Sequence, residues 1–351
     1  MDSLNLDDLR KEIAALDIQL LELVAKRISL ARSIGELKQE KGLPVRNLGV
    51  EGEVRKRHQR VASELGLDPR AVDSISSILI QEAIEEQASI PMEESFRREV
   101  MIVGGAGKMG QWMADLLRSC GHSVHISDPS WKDGVPLSKA AEMDVIVIAT
   151  PISIVDEVLS ELDGLISSDC LLFDIASLKS PFQDRLLKMA TRGKVCSVHP
   201  MFGPGVRSMY DRNLIFCDCG STEAVEEAMA LLDHHGARMS TIPVTEHDRY
   251  MSYVLGMSHA ASIAFLSALE MSGISSEEFG RMASTTFRRQ IEGARSVGEE
   301  DPSLYHEIQR LGDLEGWGSL SAAVERLREA ALNEDPAPFR EIMEKGRTYL
   351  R

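Results

Sequence analysis

The sequence predicts a multidomain chain in which an all-α helical domain precedes an α/β domain, and an all-α C-terminal domain follows. Apolar residues recur at helical spacing between Leu6 and Leu37. Between Val100 and Cys217, short β-rich runs alternate with helical stretches, which is typical of a parallel sheet with helices on both faces. Beyond Glu246 no convincing strand remains. We therefore expect domains at residues 1–91, 98–244 and 245–351.

The N-terminal domain is predicted to contain three helices. The first carries two seven-residue series of apolar residues: Leu6, Ile13, Leu20 and Ile34, and, offset by three positions, Leu9, Leu16, Leu23, Leu30 and Leu37. This spacing predicts one long amphipathic helix, with Asn5 as its N-cap and Gly42 near its end. A second helix is expected to run to about Leu65, and a third from Asp68-Pro69 to about Ala88.

The composition excludes several classes of protein. With 39 Lys and Arg against 55 Asp and Glu, the formal charge of −16 is a poor match for nucleic acid. No uninterrupted apolar stretch approaches the roughly 20 residues that span a bilayer, and the N-terminus lacks the order of a secretory signal. Five cysteines without a CxxC pair argue against disulfides and a structural zinc site. We expect a cytoplasmic protein without a bound metal.

A glycine motif opens the central domain. The run Val100–Val103 leads into Gly104-Gly105-Ala-Gly107-Lys-Met-Gly110, and a helical stretch follows. This strand-turn-helix context for GxGxxG predicts a Rossmann-type dinucleotide site. Asp128, at the end of the second strand, suits the ribose hydroxyls and favours NAD, while Lys132 leaves NADP open. The expected cofactor-binding residues are Gly105, Gly107, Lys108, Met109, Gly110, Asp128, Thr150 and Pro151.

Polar side chains follow the later strands. Ser177 and Lys179 come after one predicted strand, and His199 ends the next, within the string His-Pro-Met-Phe-Gly-Pro. Ligands of doubly wound sheets bind at the carboxyl ends of the strands, so we expect these three side chains to face one crevice. The glycine motif, the serine-lysine turn and this string, in this order, resemble the prephenate and arogenate dehydrogenase family over about residues 98–351.

The resemblance implies an oxidative decarboxylation. It makes His199 the base that takes the proton from the ring hydroxyl of prephenate, with Ser177 and Lys179 as catalytic neighbours, and a neutral imidazole suits that role. It assigns the substrate carboxylate to Arg288, with Arg289 as the adjacent alternative. Further substrate contacts are expected from His247 and His259. Some members of the family have serine and histidine where this chain has Leu255 and Gly256, which leaves the side-chain specificity, and with it arogenate as the substrate, open.

The first helix also carries cations in an unusual place. Arg27 interrupts the apolar series, and a cation there is costly unless it is paired with an anion. Lys38 lies three turns further on the same face, whereas Arg10 is about 26 Å from Arg27, too far to share one small ligand on a single helix. These positions resemble the all-helical chorismate mutases, whose intertwined dimers supply an arginine from the partner. The site residues implied are Arg10, Arg27, Lys38, Glu51 and Gln87.

The order of the domains resembles the bifunctional chorismate mutase/prephenate dehydrogenases. The resemblance implies two consecutive steps of tyrosine biosynthesis, with chorismate and prephenate as substrates, a homodimer, and feedback inhibition by tyrosine. Val50 stands where a further family arginine is found, Asn47 replaces an acid and Ala83 a serine, while Arg46 or Arg55 could compensate. Three rivals remain: a helical domain used only for dimerisation or effector binding, arogenate as the substrate of the dehydrogenase, and a redox-sensing NAD-binding protein without turnover.

Overall fold

The structure is a computed structural model, and it describes residues 5–43, 45–88, 90, 97–206, 209–233 and 236–351. The chain divides into two compact units. The first comprises Met1–Thr150, Val158–Ile175 and Leu186–Thr241, so that it holds the N-terminal helices and the β-sheet. The second comprises Pro151–Glu157, Ala176–Arg185 and Ile242–Arg351.

Three helices form the N-terminal part of the first unit: α1 (Leu6–Glu40), α2 (Leu48–Leu65) and α3 (Pro69–Ala88). The side chain of Asn5 accepts the N–H of Asp7, which confirms the predicted N-cap. Helices α1 and α2 both pack against α3. The approach of α1 is close at Gly35, where a Cβ atom would lie 2.8 Å from the Gln87 side chain. This contact sets the distance between the two helices that carry most of the predicted mutase residues.

A seven-stranded sheet forms the rest of the first unit, in the order β2-β1-β3-β4-β5-β6-β7. The strands are β1 (Glu99–Val103), β2 (Ser123–Ser127), β3 (Val145–Ile148), β4 (Leu171–Asp174), β5 (Val195–Pro200), β6 (Asn213–Asp218) and β7 (Arg238–Pro243). Strands β1 to β5 are parallel, as predicted. Strand β6 runs antiparallel to β5. Strand β7 was not predicted because four of its six residues are exposed and they do not alternate with an apolar face.

The core of the sheet explains its β-rich sequence. Strands that are covered on both faces read as continuous apolar runs, and every residue of β3 and β4 is buried. Helices α4 (Lys108–Ser119) and α7 (Thr222–Leu232) pack against the sheet. Between them in sequence lie α5 (Val155–Leu162) and α6 (Gln183–Ala190). All five cysteines are buried thiols, as expected, and burial raises the pKa of Cys170 to about 12.

Helices make up the C-terminal part of the second unit, where no residue after β7 is in a strand within the described range, as predicted. They are α8 (Val244–Met251), α9 (Ser258–Met271), α10 (Ser276–Met282), α11 (Thr285–Gly298), α12 (Pro302–Leu311), α13 (Glu315–Leu332) and α14 (Ala337–Tyr349). A π-helical turn, Ser252–Met257, joins α8 to α9. Gly316 permits α13 to approach this turn, because a Cβ atom there would overlap the carbonyl oxygen of Ser252.

The prediction that no segment spans a membrane concerns one helical run in particular. Val244–Met271 is long and apolar enough to cross a membrane by length and composition alone, and little of it is buried within the chain. Its apolar residues are interrupted by serines and by His259, which is why the sequence did not predict a span.

Candidate active sites

The glycine motif forms a tight turn between β1 and α4. Gly104 adopts φ +81, in the left-handed region that favours glycine. A Cβ atom at Gly110 would lie 2.5 Å from the carbonyl oxygen of Gly104, so the start of α4 packs directly on the turn. Helix α4 begins at Lys108, and its N-cap, Gly107, contributes no side chain. The N-terminal N–H groups of α4 are therefore available to an anionic group, as a pyrophosphate requires.

Two polar side chains border this turn. The Asp128 carboxylate, half-buried at the end of β2, accepts the N–H of Ala106 at 3.1 Å and that of Ser130 at 2.8 Å. Thr150, which follows β3, has a buried hydroxyl without a hydrogen-bond partner among the described residues. A turn without side chains, an adjacent carboxylate and an unsatisfied hydroxyl together fit NAD. Of the other predicted cofactor residues, Lys108 is exposed and Met109 packs against the sheet core.

His199 lies near the end of β5 in the first unit. Only 3% of its surface is exposed, and its strand pairs it with Ile215 of β6. The hydroxyl of Ser197, two residues earlier, is also buried without a partner in the described part of the chain. The strand ends at Pro200, as expected from a residue that lacks an N–H donor.

Ser177 and Lys179 lie on a turn of the second unit, and Asp248 of α8 holds this turn. The Asp248 carboxylate accepts the backbone N–H groups of Lys179 and Ser180 at 2.7 to 3.0 Å. Lys179 is itself buried, and its ammonium donates to the carbonyl oxygen of Ala176 at 2.7 Å. The turn that carries two predicted catalytic residues is therefore fixed by backbone and side-chain hydrogen bonds.

Asp248 also contacts a predicted substrate-binding residue. The Nδ1 atom of His247 lies 2.6 Å from Asp248 Oδ1, and both side chains are buried. Burial alone would raise the pKa of Asp248, but hydrogen bonds from His247, Ser180 and Lys179 outweigh it and lower the pKa to about 2. Asp248 is an anion at neutral pH. The sequence does not predict this role of Asp248, because a contact with residue 179 has no local signature.

The other predicted substrate residues of the second unit lie on α9 and α11. His259 packs its ring 4.5 Å from that of Tyr305, and burial lowers the pKa of His259. Its Nδ1 atom is buried and has no partner among the described residues. Arg288 lines a groove of about 670 Å³ between α9, α10 and α11, together with Phe279, Phe287 and other side chains. His259 is not one of the lining residues, so this groove does not bring the two together.

The predicted mutase residues Lys38 and Gln87 meet in the first unit. Lys38 Nζ donates to Gln87 Oε1 at 3.0 Å and to the carbonyl oxygen of Val45 at 2.5 Å. Gln87 Nε2 in turn donates to the carbonyl oxygen of Ala83 at 2.9 Å. Burial lowers the pKa of Lys38, and the charge of Glu51 opposes this shift. Two donors and one carboxylate thus share a half-buried site, although they come from three different helices.

The two arginines of α1 have different surroundings. The Arg27 guanidinium is half-buried and donates to the carbonyl oxygen of Leu79 on α3. Burial, and then the charge of Arg57, lowers its pKa. Arg10 is exposed and pairs with Asp7 on the same helix, at 3.3 Å. The structure therefore brings Lys38, Glu51 and Gln87 together. Arg27 bridges α1 and α3, the helices that carry Lys38 and Gln87, whereas Arg10 lies at the exposed N-terminal end of α1.

The structure places two of the residues that depart from the mutase pattern, Val50 and Asn47, and the two arginines that could compensate for the missing one. Val50 is 56% exposed, and Asn47 caps α2 by accepting the N–H of Val50 at 3.2 Å. Arg55 is paired with Asp73 and Ser77. Arg46 forms an ion pair with Glu51 at 3.0 Å. Neither arginine is positioned to replace the absent one without leaving its present partners.

Three family models match the chain in series. Residues 9–88 match chorismate mutase type II, residues 123–241 match the nucleotide-binding domain of prephenate dehydrogenase, and residues 243–345 match its dimerization domain. These matches follow the order of the helical part, the sheet and the C-terminal helices.

Relatives and solved structures agree with the family models. A T-protein of Enterobacter agglomerans is 29% identical over 308 residues, which cover 86% of this chain and 80% of the relative. A chorismate mutase of Methanocaldococcus jannaschii is 31% identical over 84 residues, 23% of this chain and 85% of the relative. A prephenate dehydrogenase of Aquifex aeolicus, solved with hydroxyphenyl propionate and NAD+, has a TM-score of 0.57 at 17% identity, over 74% of this chain and all of that one.

Proposed function

The chain belongs to the family of bifunctional chorismate mutase/prephenate dehydrogenases, and from this premise we propose that it catalyses two consecutive steps of tyrosine biosynthesis. The first converts chorismate to prephenate. The second oxidises and decarboxylates prephenate to 4-hydroxyphenylpyruvate with NAD. The observation that carries the proposal is the hydrogen bond between Lys38 and Gln87, which are 49 residues apart in sequence. The same chain also contains the glycine turn before α4.

The helical domain is proposed to act by positioning and electrostatics. The rearrangement of chorismate breaks an ether bond and forms a carbon–carbon bond within one molecule, so it needs no nucleophile and no proton donor. Lys38 and Gln87 are suited to donate hydrogen bonds to the ether oxygen as negative charge develops there. Lys38 would do so as an ammonium, because its ordinary pKa lies far above neutral pH. Arg27 is assigned to a carboxylate of the substrate.

Glu51 and Arg10 complete the proposed mutase site. Glu51, whose charge acts on Lys38, is assigned to the substrate hydroxyl. Arg10 is assigned to the site of a second copy, since the long helix α1 places it far from Lys38. Exposed apolar residues along α1 support such a copy, among them Leu6, Ile13, Leu16, Leu20, Leu23 and Leu30. A stripe of this extent on a helix favours burial against another chain.

A homodimer is also supported by the C-terminal part of the chain. This segment matches the family's dimerization domain. The apolar run Val244–Met271 is little buried within one chain, and Met271 and Met282 are 80% and 87% exposed. We therefore propose that this run packs against the partner chain, and that the protein is a cytoplasmic homodimer. The dimer predicts a sedimentation mass of twice the 38.7 kDa of one chain.

The dehydrogenase step is assigned to His199. Near neutral pH a neutral imidazole can accept the proton of the ring hydroxyl. When bound, NAD supplies the acceptor for the hydride that leaves the same carbon. Loss of the proton from oxygen and of the hydride from carbon together turn the alcohol into a carbonyl, and departure of carbon dioxide then leaves the electron pair that makes the ring aromatic. Ser177 and Lys179 are proposed to assist on the turn that Asp248 holds.

The cofactor and substrate ligands follow from the same assignment. NAD is held by the turn around Gly105, Gly107 and Gly110, by Asp128 at the ribose, and by Thr150 and Pro151 after β3. The negative charge of the chain requires local cations for an anionic substrate. We propose Arg288 for a carboxylate, and His247 and His259 for the remaining substrate contacts. The unsatisfied Nδ1 of His259 supports a role in binding.

A second candidate function keeps the dehydrogenase and removes the mutase. Val50, exposed where the family has an arginine, favours a helical domain used for dimerisation or for binding tyrosine as a feedback inhibitor. The deciding experiment is an assay with chorismate alone, followed by addition of NAD. Loss of chorismate and then formation of NADH supports both activities. NADH from added prephenate without loss of chorismate would reject the mutase, and a preference for arogenate would change the substrate of the second step.

A further inference from the structure

The proposed mutase site is bounded by residues that lie outside the mutase domain. Glu51 is paired with Arg46, with Nε to Oε1 at 3.0 Å and NH2 to Oε2 at 3.4 Å. The hydroxyl of Tyr210, from the connection between β5 and β6, also donates to Glu51 Oε2 at 3.3 Å. A carboxylate of the helical domain is therefore held on one side by a residue of the sheet domain.

Arg46 is fixed by the same part of the sheet domain. Its NH1 atom donates to the carbonyl oxygen of Gly236 at 2.6 Å, and its NH2 atom lies 3.6 Å from Asp211. Its guanidinium stands 5.3 Å from the centre of the Tyr210 ring, within the range of a cation–π interaction. The Arg46 side chain is only 15% exposed, so these contacts are made largely away from water.

Tyr210 is anchored in a small apolar cluster shared by the two domains. Its ring packs with Ile80 and Ile84 of α3, and Val45 and Val54 lie against them. Only 8% of Tyr210 is exposed. Burial, followed by the charge of Glu51, raises the pKa of Tyr210, so its hydroxyl keeps its proton and donates at neutral pH. A buried phenol with a fixed ring directs its hydroxyl in one direction.

The backbone that carries these groups is itself constrained. Asp211 has φ 59 and Gly236 has φ +69, both in the left-handed region. The N–H of Asp211 donates to the carbonyl oxygen of Gly236 at 3.1 Å, and Arg238 binds the Asp211 carboxylate at 2.8 Å. A Cβ atom at Gly236 would approach both Ile84 and Tyr210 to 3.2 Å. Tyr210, Asp211 and Gly236 of the sheet domain thus all contact the Arg46–Glu51 pair. We call these three residues the clasp.

We propose that Tyr210 and Arg46 are positioning residues for the chorismate mutase reaction, acting through Glu51. The inference rests on the proposed mutase function. Without its two donors, Glu51 is free to turn towards the ammonium of Lys38, whose charge it already senses. Lys38 would then be drawn from the ether oxygen of the substrate. The sheet domain therefore contributes to the first reaction as well as to the second, although it supplies no group that contacts chorismate.

The test compares variants of the full-length protein. Tyr210→Phe keeps the ring and the apolar cluster and removes only the hydroxyl. We expect its mutase kcat to fall about 3- to 10-fold, less than a full hydrogen bond to a charged group contributes because Arg46 still holds Glu51, with KM changed less than 2-fold. Dehydrogenase kcat/KM with prephenate and NAD should stay within 2-fold of the wild type, and so should the NAD affinity.

A matched control and a rescue separate positioning from general damage. Tyr253→Phe removes a hydroxyl that donates to Glu315 at 2.9 Å in the second unit, and it should leave the mutase unchanged. Arg46→Met should lower mutase kcat more than Tyr210→Phe, and Arg46→Lys should restore part of the loss by keeping a cation beside Glu51.

Each outcome decides the inference. A Tyr210→Phe enzyme with wild-type mutase kcat overturns it. So does a loss of similar size in both activities, or an Arg46→Lys enzyme no better than Arg46→Met, since these results indicate a structural defect. A wild-type protein without mutase activity rejects the proposed function itself, and with it the inference.

Discussion

Asp248 receives the backbone N–H of Lys179 on both of its carboxylate oxygens, at 2.9 and 3.0 Å. The contact joins α8 to the turn after β4, and the same carboxylate binds His247. One buried anion therefore holds Lys179 and His247, which are proposed dehydrogenase residues, and Ser180, which lies next to Lys179. Its replacement should affect both the order of the turn and the oxidation of prephenate.

Replacing Asp248 by Asn should release this turn. An amide keeps one acceptor oxygen but presents N–H groups where the second oxygen stood, so the N–H groups of Lys179 and Ser180 can no longer both be satisfied, and that of the buried Lys179 faces a donor on one side. We expect a destabilisation of about 2–4 kcal/mol and a fall of at least about 10-fold in dehydrogenase kcat/KM. Hydrogen–deuterium exchange over residues 176–185 should become faster.

The control for that variant is Asp218→Asn. Asp218 also accepts two backbone N–H groups, those of Gly220 and Ser221, but in an exposed turn. The Asp218→Asn substitution should lower the free energy of unfolding by less than about 1 kcal/mol, because water can satisfy the N–H groups that lose their partner. Equal effects of the two substitutions would contradict the role assigned to Asp248.

Acid should weaken the second unit through the same carboxylate. The pKa of Asp248 in the folded chain, about 2, lies below the unfolded value of about 3.9. A depressed pKa contributes stability that is present above the unfolded value and lost as pH falls through the folded one, here from about pH 4 to about pH 2. The contribution is about 2–3 kcal/mol. Thermal unfolding of the wild type and Asp248→Asn should converge over that interval, and a constant difference down to pH 2 would refute the assignment.

Replacing His199 by Asn should separate the two activities. Asn cannot accept the hydroxyl proton, so dehydrogenase kcat should fall by about 10²- to 10⁴-fold. NAD affinity and mutase turnover should persist, because neither depends on an imidazole. Fluorescence titration with NADH and a chorismate assay provide these two measurements. Full dehydrogenase turnover in this variant would exclude His199 as the base.

Replacing Lys38 by Met should have the opposite effect. The variant keeps the length of the side chain and removes the donor to Gln87. We expect mutase kcat to fall by at least about 10²-fold, as for the loss of a preorganised donor, with normal oxidation of prephenate. Lys11→Met is the matched control, because Lys11 is exposed and pairs with Asp8 on the same helix. An unchanged mutase in Lys38→Met would contradict the site.

Replacing Gly110 by Ala should abolish NAD binding without unfolding the sheet. Its Cβ atom would meet Gly104 O at 2.5 Å and Gly105 Cα at 2.7 Å, so the turn must open. We expect the NAD dissociation constant to rise at least about 10-fold. Gly318→Ala, in α13 with open space around the new Cβ, should instead stabilise the protein by about 0.5–1 kcal/mol. Wild-type NAD affinity in Gly110→Ala would remove the turn from the cofactor site.

Local signals predicted the elements well. The heptad series and the Asn5 cap gave α1, and the continuous apolar runs gave β1, β3, β4 and β5. The glycine spacing predicted the turn before α4 because a Cβ atom at Gly104, Gly105 or Gly110 would collide with nearby atoms. The direction of β6 was not predictable, since an antiparallel strand carries the same residues as a parallel one. Strand β7 was missed because its sequence does not alternate with an apolar face.

The contacts that set the sites were less predictable than the elements. Lys38 and Gln87 were named together through the resemblance, and the structure brings them within 3.0 Å. The pairing of Tyr210 with Glu51 spans 159 residues, and that of Asp248 with Lys179 spans 69. Periodicity reports which face of an element is buried, but not which distant loop will cover it. Those partners are set by the packing of whole domains.

The clasp at Gly236 has a consequence for recombination between members of this family. A chimera that joins the helical part of one protein to the sheet of another would commonly be cut in the segment between α3 and β1. Here such a cut would separate Glu51 from the tyrosine that contacts it, and any residue but glycine at position 236 would press on α3. Functional exchange therefore requires that residues 45–51 and 209–238 be inherited together, as one unit that is discontinuous in the gene.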